Sequence, residues 1–155
     1  PLFLDSPRGP LFCIFVAPAQ QPPAGAVLYL HPFAEEMHKS RRMAALQARR
    51  FAAEGYAVLQ VDLTGCGDSS GDFGDATWEQ WLADARRAHA WLAASVNGPV
   101  ILWGLRSGAS LAVALAGALP GIRHLMLWQP VVNGDQYLNQ FLRIRLASET
   151  WKPGW

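Results

Sequence analysis

Five short, mostly apolar runs most constrain what this chain can fold into. They are LFCIFV (11–16), AVLYL (26–30), AVLQV (57–61), VILW (100–103) and LMLW (125–128). A strand with one wet face alternates apolar and polar residues. One covered by helices on both sides is apolar throughout. Helical signals lie between the runs. Ala44, Ala48 and Phe51 are spaced i, i+4, i+7 before a stop at Gly55. Thr77 and Gln80 form a capping-box pattern ahead of the stripe Trp81, Ala85, Ala88, Leu92, which ends before Asn97-Gly98-Pro99. The segment after Gly108 is apolar all round and is expected to be the most buried helix. Strands alternating with helices predict an α/β fold with a mostly parallel sheet.

The 155 residues amount to one domain, 1–155, long enough to bury a core. With 51% hydrophobic and 16% charged residues the chain is not a disordered sequence. A net charge of +1 gives no overall field for nucleic acid or an anionic membrane. The longest apolar segment, 109–119, falls short of the 18 or so residues of a membrane helix, so no span is expected. Cys13 and Cys66 show neither metal-ligand spacing nor a disulfide framework, which suits a reducing, cytoplasmic setting. No metal or cofactor constellation is legible. The lone Gly65-Cys66-Gly67 lacks the rest of a phosphate loop.

In parallel sheets ligands sit beyond the carboxyl ends of the strands. The loops there read HPFAEEMHKSRR (31–42), DLTGCGDSSGDF (62–73) and GLRSGAS (104–110). Together they resemble the α/β-hydrolase superfamily, with an oxyanion loop, an Asp-x-x-Gly-x-Gly-x-Ser turn and a nucleophile elbow. The wording HPFAEE with KSRR, then WGLRSGA and LWQPVVNG, resembles the exosortase A system-associated hydrolase 2 family. The likeness extends from about Phe12 to Leu146. It implies a three-layer α/β-hydrolase-like sandwich and hydrolysis of esters or thioesters by serine attack and acyl transfer. The family's genes lie near exopolysaccharide and protein-sorting genes.

The elbow departs from the general pattern. Small residues stand two before and two after the nucleophile, because strand and helix approach closely there. Between Gly104 and Gly108 the midpoint is Arg106, and Ser107 lies one step later. Steric logic puts Arg106 at the apex and gives Ser107 the oxyanion N–H. A one-residue slip would make Ser107 the nucleophile, with Leu105 crowding the turn. Arg106 then has two readings: a carboxylate or phosphate site at a helix N-terminus, or a salt bridge to Glu35 or Asp62. His31 is either a general base or a brace for the oxyanion loop. Pro32 lacks an N–H, so Phe33 is the first oxyanion donor of that loop. Glu35 and Glu36 are site acids, arginine partners or solvated carboxylates. Asp135 is the best-placed acid if a triad acid comes early, and Asp62 organises the Gly65–Gly67 turn. Lys39, Arg41, Arg42, Arg49 and Arg50 form either a solvated helix face or a patch for an anionic substrate.

The resembled fold usually continues with a cap, further strands and a late histidine. Residues 136–155 read as the start of a cap segment, and 125–132 as an uncovered apolar edge. The expectation is a fold truncated on its C-terminal side, its edge covered by a missing half or another chain. Three functions follow: a hydrolase of small-molecule, acyl or glycan esters with weak or absent activity; a non-catalytic module holding an anionic ligand at Arg106; or a fragment completed elsewhere.

Overall fold

The computed structural model describes residues 1–150, with side chains through Ala147. The expected cap segment therefore lies partly outside the described residues, at 151–155. All five runs are strands, and a sixth precedes them. They are β1 (Leu2–Leu4), β2 (Leu11–Val16), β3 (Gly25–Leu30), β4 (Tyr56–Val61), β5 (Val100–Leu105) and β6 (His124–Trp128). The sheet order is β1-β2-β4-β3-β5-β6. The β3–β4, β3–β5 and β5–β6 pairs are parallel, whereas β1 and β2 join antiparallel. Among the described residues the α-helices are α1 (Glu35–Ala53), α2 (Trp78–Ser95), α3 (Ser107–Ala118) and α4 (Gly134–Thr150).

Alternation along the strands divides the core in two. Leu28, Leu59 and Leu102 face α2 and α3, while Val27, Val58 and Trp103 face α1. Three layers result, matching the fold class expected from the sequence. The Thr77 capping box forms as the spacing predicts: its hydroxyl accepts the Gln80 N–H, and the Gln80 side chain accepts the Thr77 N–H. The expectation for α3 holds on one side only. Leu111, Ala112 and Leu115 are buried, but Val113 is 50% exposed. The cause is position: α3 lies toward the β6 edge, where Leu125 and Leu127 are exposed too. Among the described residues no helix is long and apolar enough to cross a membrane.

Two contacts fix the strand ends. Gly108 lets α3 lie against the end of β3, since a Cβ there would run into the Leu30 and His31 carbonyl oxygens. His31 ties the β3 and β4 ends together. Its Nε2 accepts the Leu63 N–H at 3.1 Å, which leaves the proton on Nδ1 to be donated to the Pro32 carbonyl at 2.8 Å. Burial holds its pKa below the ordinary 6.5, against the opposing effects of the Pro32 carbonyl and Asp62.

Two outcomes are expected. Gly108→Ala should cost about 2–3 kcal/mol in urea unfolding, because backbone rather than a flexible side chain occupies the space. A loss below about 0.5 kcal/mol would show that the close approach is not a constraint. The second concerns pH. The unfolded chain takes up the His31 proton near pH 6.5 and the folded one only lower, so the brace's stability is complete above 6.5 and lost as pH falls. Between pH 6.5 and 5 wild type should lose up to about 2 kcal/mol more than His31→Gln. The comparison cancels His89, whose pKa burial also lowers. Equal losses in the two proteins would contradict the neutral brace.

Candidate functional site

The elbow is the turn between β5 and α3. Arg106 occupies its apex with φ 55 and ψ −118, a positive-φ conformation costly for any residue with a Cβ. The surrounding chain leaves little choice. A Cβ on Gly104 would meet the Gly108 carbonyl and the Ala109 backbone. The turn is pinned by the Arg106 N–H to the Trp128 carbonyl and the Ala109 N–H to the Arg106 carbonyl, both 3.0 Å. Ser107 is the first residue of α3, and the steric reading of the sequence is the observed arrangement.

The Arg106 side chain reaches Glu36 and Gln129. Its Nε lies 3.5 Å from Glu36 Oε1, and Nη1 donates to the Gln129 carbonyl at 3.3 Å. The guanidinium also stands over the Tyr137 ring, 5.2 Å from its centroid. Tyr137 in turn donates its hydroxyl proton to Glu36 Oε2 at 2.7 Å. Burial and the adjacent Glu36 carboxylate push the Tyr137 pKa up, with Ser107 and Arg106 opposing, so the phenol stays protonated. Ser107 Oγ accepts the Phe33 N–H at 2.8 Å. That hydroxyl therefore rests on the donor that would serve an oxyanion.

Several expectations need correction. Glu35 does not pair with Arg106: it is exposed and faces Lys39 at 3.9 Å, and the next carboxylate, Glu36, meets Arg106. One residue along a helix turns the side chain by about 100°, which moves it from the cleft to solvent. Asp62 does not pair with Arg106. It holds Arg41 at 2.6 Å and accepts the Asp68 N–H at 2.9 Å, organising the glycine turn. Asp135 is exposed in the first turn of α4, where Asn133 caps the start by accepting the Gln136 N–H at 3.0 Å. His31 is spoken for at both ring nitrogens, so its place is that of the brace and not of a base at the elbow. His38 is exposed, and His124 begins β6 at the opposite end of the sheet. The thiols of Cys13 and Cys66 are pushed up to about 12 by burial first and then by Asp62, which keeps them protonated at neutral pH.

Residues missed in the sequence complete the site. Tyr137 and Phe141 of α4 stack 5.0 Å apart at i, i+4, a spacing that could have marked them. With Phe33, Phe73 and Trp81 they build an aromatic wall, with ring centroids 5.1–6.4 Å from that of Phe33. Asp84 is buried in α2 and accepts the Thr64 N–H at 2.8 Å. A carboxylate inside the Trp81–Leu92 stripe was its signal.

Solved structures share this architecture. An α/β serine hydrolase without lid from Xanthomonas campestris is 24% identical with TM-score 0.70, covering 81% of this chain and 58% of its own. A highly thermostable carboxyl esterase from Bacillus coagulans is 22% identical with TM-score 0.67, covering 81% and 42%. A soluble variant of monoglyceride lipase from Saccharomyces cerevisiae is 15% identical with TM-score 0.76, covering 92% and 49%. The chain thus spans about half the length of these structures, and the likeness shows the fold. Among curated proteins none matches the sequence. The sequence profile of the X-Pro dipeptidyl-peptidase (S15 family) matches residues 13–141. With the sheet order and the elbow, that match places this chain in the X-Pro dipeptidyl-peptidase (S15) family of the α/β-hydrolase fold.

Proposed function

We propose that the elbow binds an anionic group of an acyl or glycan ligand through Arg106, in place of nucleophilic attack. The carrying observation is the apex itself: at φ 55 and ψ −118 stands a guanidinium, with no hydroxyl there. Around it lie the Phe33 amide, which rests on Ser107 Oγ, and the first N–H groups of α3, of which that of Ala109 bonds the Arg106 carbonyl. Together these favour a carboxylate or phosphate. Glu36 is the present partner, but weakly. At 3.5 Å, with side chains 31% and 30% exposed, such a pair contributes roughly 0–1 kcal/mol. A ligand anion making bidentate contact can exceed that. The aromatic wall of Phe33, Phe73, Trp81 and Phe141 suits the apolar part of an acyl ligand. The sequence likeness to exosortase A system-associated hydrolase 2 supports an exopolysaccharide setting.

A second reading, ester or thioester hydrolysis with Ser107 as nucleophile, is favoured by one distance. Ser107 Oγ is 2.8 Å from the Phe33 N–H, where a substrate carbonyl would gather. It needs a base, and among the described residues no imidazole bonds to that hydroxyl.

A fluorophosphonate probe together with calorimetry on glucuronate and inorganic phosphate separates the two. The binding reading expects no covalent labelling and at least a tenfold loss of affinity for one of these anions in Arg106→Ala, about 1.4 kcal/mol or more. Labelling that vanishes in Ser107→Ala would establish the hydrolase instead. Anion affinity unchanged in Arg106→Ala would also end the binding reading.

A further inference from the structure

The α1 face of the sheet holds a cavity of about 280 Å³, lined by Ile14, Tyr29, Gln60, Ala45, Arg41 and Arg42 among others. Strand register explains where it lies. Ile14 pairs with Gln60, Gln60 with Tyr29, and Tyr29 with Trp103, so these four stand in one row across β2, β4, β3 and β5. Over the Trp103 end the row is filled, with Phe51 at 5.5 Å and Trp128 at 5.0 Å. Over the Ile14 end α1 presents Ala44 and Ala45, too small to fill the space.

One polar group there has nothing to bond. Tyr29 is 5% exposed, and its hydroxyl has no hydrogen-bond partner. Ser40 lies near enough to influence it, and its hydroxyl oxygen is the acceptor in reach, but the two hydroxyls do not form a hydrogen bond. An unmet buried hydroxyl is unfavourable, and a ligand acceptor would relieve it. Burial pushes Tyr29 up to about 12, so at neutral pH it is a donor. The charges are uneven. Arg41 is neutralised by Asp62, whereas exposed Arg42 on the rim has no ion pair among the described residues. Asp62, Arg41 and Arg42 leave one positive charge over.

We propose that this cavity is a second binding site, for a small amphipathic monoanion: a carboxylate with a short apolar tail. The tail packs against Ile14, Ala44 and Ala45, and the carboxylate takes the Tyr29 hydroxyl and Arg42. The site lies apart from Arg106 and does not depend on the elbow reading.

Calorimetric titration with sodium octanoate tests it, with octan-1-ol and inorganic phosphate as controls. Octanoate should bind one to one and the controls at least tenfold more weakly. Tyr29→Phe should lower octanoate affinity about tenfold without lowering the melting temperature, since it removes an unpaired hydroxyl. Ala45→Phe should abolish binding by filling the space, and if it fails to fold, Tyr29→Phe and Arg42→Ala carry the test. Arg106→Ala should bind octanoate as wild type does. Absence of binding at millimolar octanoate, equal affinity for octan-1-ol, or an unchanged Tyr29→Phe variant would overturn the proposal. So would loss of octanoate binding in Arg106→Ala, which would move the ligand to the elbow.

Discussion

The close approach of β5 and α3 governs everything built at the carboxyl end of this sheet. Neither Gly104 nor Gly108 has room for a Cβ, because the atoms it would meet are backbone and cannot move aside. The residue between them is then forced into a positive-φ conformation whatever its side chain. The strain is of order 1–3 kcal/mol, and it persists only because surrounding contacts over-determine the turn. Arg106 is not alone. Ala34 after β3 and Gln129 after β6 also have positive φ, at 50 and 45. Three neighbouring parallel strands thus end in strained bends, and strain of this kind gathers where a protein positions groups for a ligand.

Two ion pairs divide the work at this edge and differ in character. Arg41–Asp62 is short at 2.6 Å, with the aspartate side chain only 10% exposed and also bonded to the Asp68 N–H. It holds the glycine turn and is part of the fold. Arg106–Glu36 is longer, wetter and shared with a phenol and a carbonyl. A fold can spare such a pair to a ligand far more readily than it can spare the first.

The sequence made the architecture legible because strands covered by helices leave an apolar signature, and five of the six strands carried it, although β2 runs antiparallel and β6 lies at the exposed edge. β1 escaped because LFL is three residues long, too short for any period to show. The apex was legible for a different reason: it depends on two glycines and a spacing, both local. The partner of Arg106 was not. Glu35 and Glu36 are equivalent in composition, and only the phase of α1 separates them. That phase is set by Ala34, whose φ of 50 starts the helix without a side-chain cap. Tyr137 comes from 101 residues away and is brought in by tertiary folding; its i, i+4 spacing with Phe141 marks an aromatic pair but not where that pair lands. The cavity beside Tyr29 was equally hidden, since a void is a property of packing between α1 and the sheet.

The uncapped start of α1 bears on how the site tolerates change. With no side-chain cap, its first turn relies on Glu35 and Glu36, whose negative charges complement the helix dipole, and on tethers to neighbouring elements. Glu36 is tethered twice, to Arg106 and to the Tyr137 hydroxyl. Deleting the guanidinium leaves the carboxylate half in solvent, still bonded to Tyr137 and still favoured by the dipole. It is therefore never stranded as a buried unpaired charge, the situation that costs several kcal/mol. Further down the helix Arg41 keeps its own anchor on Asp62. The apex side chain can thus change its partner, or lose it, while α1 and the loop after β3 stay in place, as the ligand contact proposed for Arg106 requires.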